Sequence, residues 1–302
     1  MELKKWLDAY LAYATEERGV SRATAQFYAG DLNELIRFLE NRRIISPTEM
    51  KAPHLAAYVG ELRTNGKASA TVARRVASIR SFCKYLTVHR AVDVDPSLQL
   101  AAPKADKKTP KAMKVEELDK LLGLPDVGRE DGLRDKAMLE LLYATGLRVT
   151  ELAALDVDHV RLDMGFLLCL GSGGRERMVP VGSAALGWVK RYAEEARPAM
   201  QRPDKPDNAL FLNHLGTRMT RQGFWKILRK YAARIGLNAT PHTIRHSFAS
   251  HLLENGADFR AVQEMLGQTG PLAANRYLSS PKPRLTEEYE RNHPRAGAKP
   301  RS

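Results

Sequence analysis

Residues 240–268, TPHTIRHSFASHLLENGADFRAVQEMLGQ, carry the densest set of structural and chemical signals in the chain. Thr240 is a good helix N-cap and Pro241 suits the first helical position, so a helix is predicted to begin here with His242 in its first turn. Arg245 lies three residues further on and therefore on the same face as His242. A His and an Arg at a helix N-terminus predict a phosphate or carboxylate site. A surface His–Arg pair without a ligand is the alternative for this stretch taken alone.

The N-terminal third of the chain predicts a small helical bundle. Residues 1–92 contain four apolar stripes with a 3.6-residue period, and Ser21 and Pro53 mark the starts of the second and third helices. Four short helices of this kind form a bundle. The fourth helix also has a basic face, which predicts contacts to a DNA backbone, with a solvated helix face as the alternative. The residues of this face are Arg74, Arg75, Arg80 and Lys84.

A segment rich in proline and lysine divides the chain. Residues 93–112 contain three prolines and four lysines without an apolar period, which predicts an extended linker. The part that follows mixes helical periods with short apolar runs on both sides of Gly171-Ser172-Gly173-Gly174, a hairpin signal. We therefore expect a helical domain, a linker, a mixed α+β domain with a small antiparallel sheet, and a polar tail. Their predicted bounds are 1–95, 96–112, 113–292 and 293–302.

The amino-acid composition indicates some classes of function and excludes others. The 302 residues include 48 Lys and Arg against 35 Asp and Glu, a net charge of +13, which indicates a polyanionic partner, with nucleic acid as the first candidate. Two cysteines exclude a disulfide scaffold and a Cys-rich zinc site. No apolar run is long enough to span a membrane, and the first residues lack a signal core. The chain is therefore expected to stay in the cytoplasm. The sequence also contains neither a P-loop nor a metal-ligand cluster.

Several stretches, in order and at suitable spacing, resemble the tyrosine recombinase (phage integrase) family. The first arginine box of that family is similar to ATGLRVTEL at 144–152, and the second is similar to residues 242–268. Tyr277 follows Gln268 by nine residues. GVSRATAQFYAGDLNELIRFLE at 19–40 resembles the family's N-terminal helix, and RLTEEYERNHPRA at 284–296 resembles the end of the Xer branch, which resolves chromosome dimers.

This resemblance implies a fold and an activity. The fold would be mainly α, with an N-terminal four-helix SAM-like core-binding domain and an α+β catalytic domain, together forming a basic clamp around double-stranded DNA. Four protomers, identical or paired with a paralogous recombinase, would assemble on two sites. Arg148 and Arg245 would hold the scissile phosphate with His242 beside them, and Tyr277 would be the nucleophile. Tyr289 is a rival tyrosine whose surroundings fit a tail helix better. The covalent 3′-phosphotyrosine would conserve the bond energy, so neither ATP nor a metal is required.

Two positions depart from the family pattern. Ser172 stands where the family has a lysine thought to protonate the leaving 5′-oxygen, and Gln268 stands where it usually has His or Trp. Arg175, in the same turn as Ser172, is predicted to contact DNA, but a guanidinium holds its proton too tightly to serve readily as an acid. Loss of the acid leaves two hypotheses open: a site-specific recombinase with impaired cleavage, and a DNA-binding protein that no longer cuts. An unrelated basic helical protein or RNA-binding protein would leave the ordered boxes unexplained.

Overall fold

The computed structural model describes residues 2–103, 111–171, 176–268 and 283–296. Contacts within the chain divide it into two compact units, Met1–Lys108 and Thr109–Ser302. The boundary between them falls inside the segment that the sequence predicts as a linker. Each unit has its own hydrophobic core.

The first unit consists of four amphipathic helices, as the apolar periods predict. Ser21 caps the second helix, because its hydroxyl accepts a hydrogen bond from the Thr24 N–H. Tyr10, Leu35, Val76 and Phe82 lie in the shared core. The helices are α1 (Leu3–Glu16), α2 (Arg22–Glu40), α3 (Ala52–Thr64) and α4 (Ser69–Val88), with a 3₁₀ turn at Pro47–Glu49.

The predicted linker is wrong at its N-terminal end. Leu100 is buried in the core of the first unit, and its carbonyl oxygen accepts a 2.7 Å hydrogen bond from Arg80. Asp95 closes the turn before it by accepting hydrogen bonds from the Ser97 N–H and hydroxyl, both 2.7 Å. The prolines and lysines of this segment indicate an extended chain, whereas one apolar side chain and one Asp-centred turn fix its first residues to the bundle.

The second unit combines helices with a small antiparallel sheet in the order β1-β2-β3, which confirms the predicted mixed domain. A helix at Ser183–Arg191 continues through a π turn into Arg197–Met200. The elements are α5 (Val115–Leu122), α6 (Glu130–Thr145), α7 (Val149–Ala154), β1 (Val160–Arg161), β2 (Phe166–Leu170), β3 (Glu176–Pro180), α8 (Ser183–Arg191), α9 (Arg197–Met200), α10 (Arg221–Arg234), α11 (Pro241–Glu254), α12 (Phe259–Met265) and α13 (Pro283–Asn292), with a 3₁₀ turn at Val157–His159.

Helix α6 forms the centre of this unit, since every residue from Gly132 to Thr145 is buried. It packs against α8 and α11, so its C-terminal end is brought to the start of α11 and α7. In the sheet, Cys169 of β2 pairs with Arg177 of β3, and β3 in turn packs against α12. The ends of α6, α7, α11 and α12 are thereby gathered around one place, where the candidate site lies.

The predicted polar tail begins too early. His293 and Ala296 are buried, and the Ala296 carbonyl oxygen accepts hydrogen bonds from the N–H and hydroxyl of Ser183. Arg295 pairs with Asp119 at 2.6 Å and with the buried Glu140 at 2.7 Å. The segment is polar in sequence, but its charges meet carboxylates of α5 and α6, so residues 293–296 are part of the packed unit.

Among the helices that the structure describes, none has the length and apolar character needed to cross a bilayer.

Candidate active site

Arg148 is placed by a tight turn between α6 and α7. Gly146 ends α6 with φ of +58°, a left-handed conformation, and a Cβ at this position would come within 2.4 Å of the Phe248 ring. Arg148 then becomes the N-cap of α7. Its N–H donates to Glu151 Oε2 at 2.7 Å, and its Nη1 donates to Glu151 Oε1 at 2.9 Å. The side chain stays 39% exposed, so the guanidinium remains open to a ligand.

Arg245 is fixed from the opposite side by α11. Thr240 caps this helix through a 3.0 Å hydrogen bond from the Thr243 N–H, as the sequence predicts. Arg245 Nη1 donates to the Gly146 carbonyl oxygen at 2.5 Å, and Nη2 donates to the Leu266 carbonyl oxygen at 2.7 Å. Burial and then the nearby charge of Arg148 lower its pKa to about 10, which leaves the guanidinium charged at neutral pH.

A buried carboxylate, Glu151, joins the two arginines to a third. Arg177 of β3 donates through Nη1 to Glu151 Oε1 at 3.0 Å and through Nη2 to Oε2 at 2.9 Å. Arg245 Nη1 lies 3.9 Å from Glu151 Oε2. Burial raises the pKa of Glu151, but the hydrogen bonds from Arg177 and from the Arg148 N–H outweigh burial, so this pKa lies below its usual range. One carboxylate therefore faces three cations, and the cluster keeps a positive excess.

The three basic residues predicted from the boxes meet in one cleft. Arg148, His242 and Arg245 all line a cavity of about 580 Å³. His242 is exposed in the first turn of α11. The sequence prediction that these side chains share one site is therefore consistent with their placement, while their chemical roles remain predictions.

Helix α10 supplies residues to this cleft that sequence reasoning missed. Arg221, Trp225 and Lys226 line the cavity, and Trp225 is 39% exposed although it is a large aromatic residue. The available sequence signal was an aromatic residue with cations close by on a predicted helix, Arg221 one turn before Trp225 and Lys226 directly after it. Glu151 and Arg177 were also missed. Glu151 had a local signal, because an acidic residue three positions after an N-cap forms a capping box.

Other predicted site residues are not brought into this cleft or lie outside the described residues. Gln268 is exposed just after Gly267, and its N–H donates to the Gln263 carbonyl oxygen at 2.9 Å. Tyr277, Ser172 and Arg175 lie outside the described residues.

Tyr289, the rival tyrosine, belongs to α13 and is 1% exposed, and its hydroxyl accepts a hydrogen bond from the Gly182 N–H. A tyrosine buried in this way is not available as a nucleophile.

The basic face predicted on α4 needs correction. Arg75 is buried and pairs with Glu34 at 2.5 Å and with the Tyr58 hydroxyl at 2.9 Å, so the prediction of a DNA contact is wrong for this residue. Arg74 is half-exposed, but it pairs with the buried Asp31. Carboxylates of α2, which lie about forty residues away in sequence, neutralise both charges. Arg80 and Lys84 are exposed, one turn apart.

Comparison with known proteins identifies the family. The phage integrase family model matches residues 111–283, and the model of the phage integrase N-terminal SAM-like domain matches residues 7–89. Tyrosine recombinase XerD of Listeria innocua is 42% identical over 293 residues, which cover 96% of this chain and 99% of that protein. Tyrosine recombinase XerC of Herpetosiphon aurantiacus is 45% identical over 267 residues, 88% of this chain and 87% of that protein. The chain therefore belongs to the phage integrase family.

The fold is similar to that of solved integrases. A lambda integrase tetramer bound to a Holliday junction matches with a TM-score of 0.69 and 17% sequence identity, over 89% of this chain and 78% of that chain. At this identity the match concerns the fold alone. It agrees with the mainly α architecture and the small sheet described above.

Proposed function

We propose that this protein is a tyrosine site-specific recombinase, which cuts and rejoins DNA through a 3′-phosphotyrosine intermediate. The observation that carries the proposal is the convergence of Arg148, Arg245 and His242 on one cleft, with both guanidiniums held in place by main-chain and carboxylate partners. The family to which the chain belongs, and its similarity to XerD and XerC over most of its length, support the same activity.

The arginine geometry suits a phosphodiester. A guanidinium has five N–H donors, and Arg245 uses two of them on the carbonyl oxygens of Gly146 and Leu266, which leaves about three for phosphate oxygens. Arg148 uses one on Glu151. A phosphodiester repels an oxygen nucleophile through the charge on its non-bridging oxygens. Two fixed cations offset this charge in the ground state and stabilise the additional charge of the transition state. His242, exposed at the start of α11, would add a further donor to the phosphate.

In this proposal the Tyr277 phenol attacks phosphorus, the bond to the 5′-oxygen breaks, and a 3′-phosphotyrosine forms. The phenol loses its proton and the 5′-oxygen gains one. Ser172 stands where the family has the lysine that supplies this second proton, and a serine hydroxyl is a poor acid at neutral pH. Loss of such an acid costs about 10² to 10⁴ in rate, so cleavage of an ordinary phosphodiester is expected to be slow.

Each unit has basic residues proposed to contact DNA, on α10 in the second unit and on α4 in the first. Arg221, Lys226 and the half-exposed Trp225 extend the positive surface of the cleft along α10, where they would contact phosphates and sugars next to the scissile bond. In the first unit, the exposed Lys84 and Arg80 are the members of the predicted basic face proposed to contact phosphates, Arg80 through the donors that it does not use on the Leu100 carbonyl oxygen. For Arg175, which lies outside the described residues, we keep the DNA contact that the sequence predicts.

We further propose that double-stranded DNA is bound by four protomers on paired sites, either as a homotetramer or together with a paralogue. The lambda integrase of similar fold forms a tetramer on a Holliday junction, and the similar relatives are named XerC and XerD. Similarity to these proteins over most of the chain favours chromosome-dimer resolution over integration of a mobile element. Such a protein would act in the cytoplasm, where a bacterial chromosome lies.

The test is formation of a covalent protein–DNA adduct. Footprinting on the host chromosome would locate the target, and a nicked duplex of that site would trap the cleaved strand. The unaltered protein should form an adduct slowly with an ordinary phosphodiester and quickly with a 5′-bridging phosphorothiolate, because a thiolate leaves without a proton. Arg148→Gln should reduce the rate by about 10² to 10³. Arg191→Gln, which removes an exposed ion pair with Glu195, is the matched control and should leave the rate unchanged. If neither substrate gives an adduct, the DNA-binding alternative holds.

A further inference from the structure

Arg177 has an unusual set of partners for a residue outside the cleft. It does not line the cavity, and its side chain is 12% exposed. Each of its three nitrogens has a partner: Nη1 and Nη2 donate to the two oxygens of Glu151, and Nε donates to the Met265 carbonyl oxygen at 3.0 Å. It therefore joins β3 to the start of α7 and to the end of α12.

The same two elements hold the cleft arginines. Glu151 binds the side chain and the N–H of Arg148, and the Leu266 carbonyl oxygen, next to Met265, accepts from Arg245. We infer that Arg177 is a positioning residue for the strand-cleavage reaction, one that holds Glu151 and the α12 end so that Arg148 and Arg245 stay directed at the phosphate. This inference rests on the proposed function, since it assigns a role in that reaction.

Gly267 provides a separate observation that this place is built for a guanidinium. It has φ of +63°, and a Cβ there would lie 3.0 Å from Arg177 Nη1 and 3.1 Å from Cζ. A larger residue would push the guanidinium away from Glu151 or force the turn to move. The turn that leads from α12 to Gln268 thus leaves room for the Arg177 side chain.

Arg177 compensates the charge of Glu151 and so leaves the other two arginines free for a ligand. With Arg177 present, Glu151 is satisfied by a bidentate pair, and the other two guanidiniums keep donors for a ligand. Without it, the buried carboxylate would lose two hydrogen bonds and would draw on Arg148, already bonded at 2.9 Å, and on Arg245 at 3.9 Å. Both cations would then be shared between Glu151 and the phosphate. The Glu151 charge, less well compensated, would also repel the phosphate.

Lysine cannot replace Arg177 in this role. A lysine ammonium is a point charge without the planar fork that spans both oxygens of a carboxylate. It would retain the positive charge but could not bind Glu151 in a bidentate manner and reach the Met265 carbonyl oxygen at the same time. Arg177→Lys therefore tests whether the positive charge at this position is sufficient or whether the planar geometry of the guanidinium is also required.

The experiment compares cleavage of two nicked duplexes that differ at the scissile group. One has an ordinary phosphodiester and the other a methylphosphonate, whose methyl group replaces the charged non-bridging oxygen. Adduct rates are measured for the unaltered full chain, Arg177→Gln and Arg177→Lys. Arg218→Gln is the matched control, because Arg218 also joins a carboxylate, Asp156, to main-chain carbonyl oxygens but does not line the cleft.

We expect Arg177→Gln to lose about 10²-fold in rate on the phosphodiester, the size of a small misplacement of catalytic groups, and less than about 10-fold on the methylphosphonate. Arg177→Lys should fall between Arg177→Gln and the unaltered protein on the phosphodiester, and Arg218→Gln should lose the same small factor on both substrates. An equal loss on both substrates for Arg177→Gln would show a merely structural role and overturn the inference. A full rate for Arg177→Lys would also overturn it. If the unaltered protein forms no adduct on either duplex, the proposed function fails and this inference fails with it.

Discussion

Glu151→Gln removes a buried carboxylate that lies among three guanidiniums, and the burial of these groups sets the loss in stability that we expect. Glu151 is 6% exposed, and it accepts hydrogen bonds from Arg148 and Arg177 while Arg245 stands 3.9 Å away. Glutamine keeps the shape but not the charge. Removal of one partner of a buried ion pair costs about 3–5 kcal/mol in the free energy of unfolding, because the nearly buried Arg177 and Arg245 would lose the carboxylate that compensates their charge. For a unit of this size, a loss of about 3–5 kcal/mol lowers Tm by about 6–20 °C.

Differential scanning calorimetry of the full chain would measure this change. Glu195→Gln is the control, since it removes an exposed i,i+4 pair with Arg191 and should cost at most about 0.5 kcal/mol. Sulfate, compared with chloride at equal ionic strength, should raise the Tm of Glu151→Gln more than that of the unaltered protein, because an anion can take the place of the missing charge. A Tm loss for Glu151→Gln no larger than that for Glu195→Gln would refute the view that Glu151 compensates the arginine cluster.

Three further results are expected. The pKa of Glu151 is lower in the folded state than its unfolded value of about 4.3, so its ionised form stabilises the fold above the unfolded pKa, and this effect is lost as pH falls through the folded pKa. The difference in Tm between the unaltered protein and Glu151→Gln should therefore be constant above about pH 5 and should narrow below about pH 4. Ser172→Lys should raise the adduct rate on an ordinary phosphodiester and leave the rate on a 5′-bridging phosphorothiolate nearly unchanged, and a gain on both substrates would argue against a missing acid. DNA affinity measured by fluorescence anisotropy should fall with salt, with a log–log slope of about −0.9 for each phosphate neutralised, and an affinity independent of salt would contradict the DNA interface.

The parts of the fold that could be predicted are those marked by local sequence patterns, namely apolar periods and helix-capping residues. The four N-terminal helices have apolar periods and local start signals, and the Ser21 cap was found where the sequence places it. The helix that continues from α8 to Met200 is harder to predict, because its apolar period ends at Ala196, two residues before Pro198. The structure carries it past this proline through a π turn, a feature that apolar periodicity does not predict.

The candidate site shows the same division between local and tertiary information. Arg148, His242 and Arg245 were identified because they lie in boxes with a recognisable spacing. Arg177 could not be identified in this way, because its partner Glu151 lies 26 residues away and only the pairing of β3 with its neighbours brings them together. Arg75 illustrates the opposite error: it belongs to a basic stripe in the sequence, but its partners on α2 make it a buried structural residue.

The most direct test of the central claim is to locate the covalent bond in the protein–DNA adduct. The adduct formed on the 5′-bridging phosphorothiolate duplex would be digested with nuclease and protease and sequenced by mass spectrometry. The account predicts a nucleotide 3′-phosphate on Tyr277, no adduct from Tyr277→Phe at nearly unchanged DNA affinity, and an adduct that persists in Tyr289→Phe. A modified residue other than Tyr277, or an adduct that persists in Tyr277→Phe, would contradict the assignment.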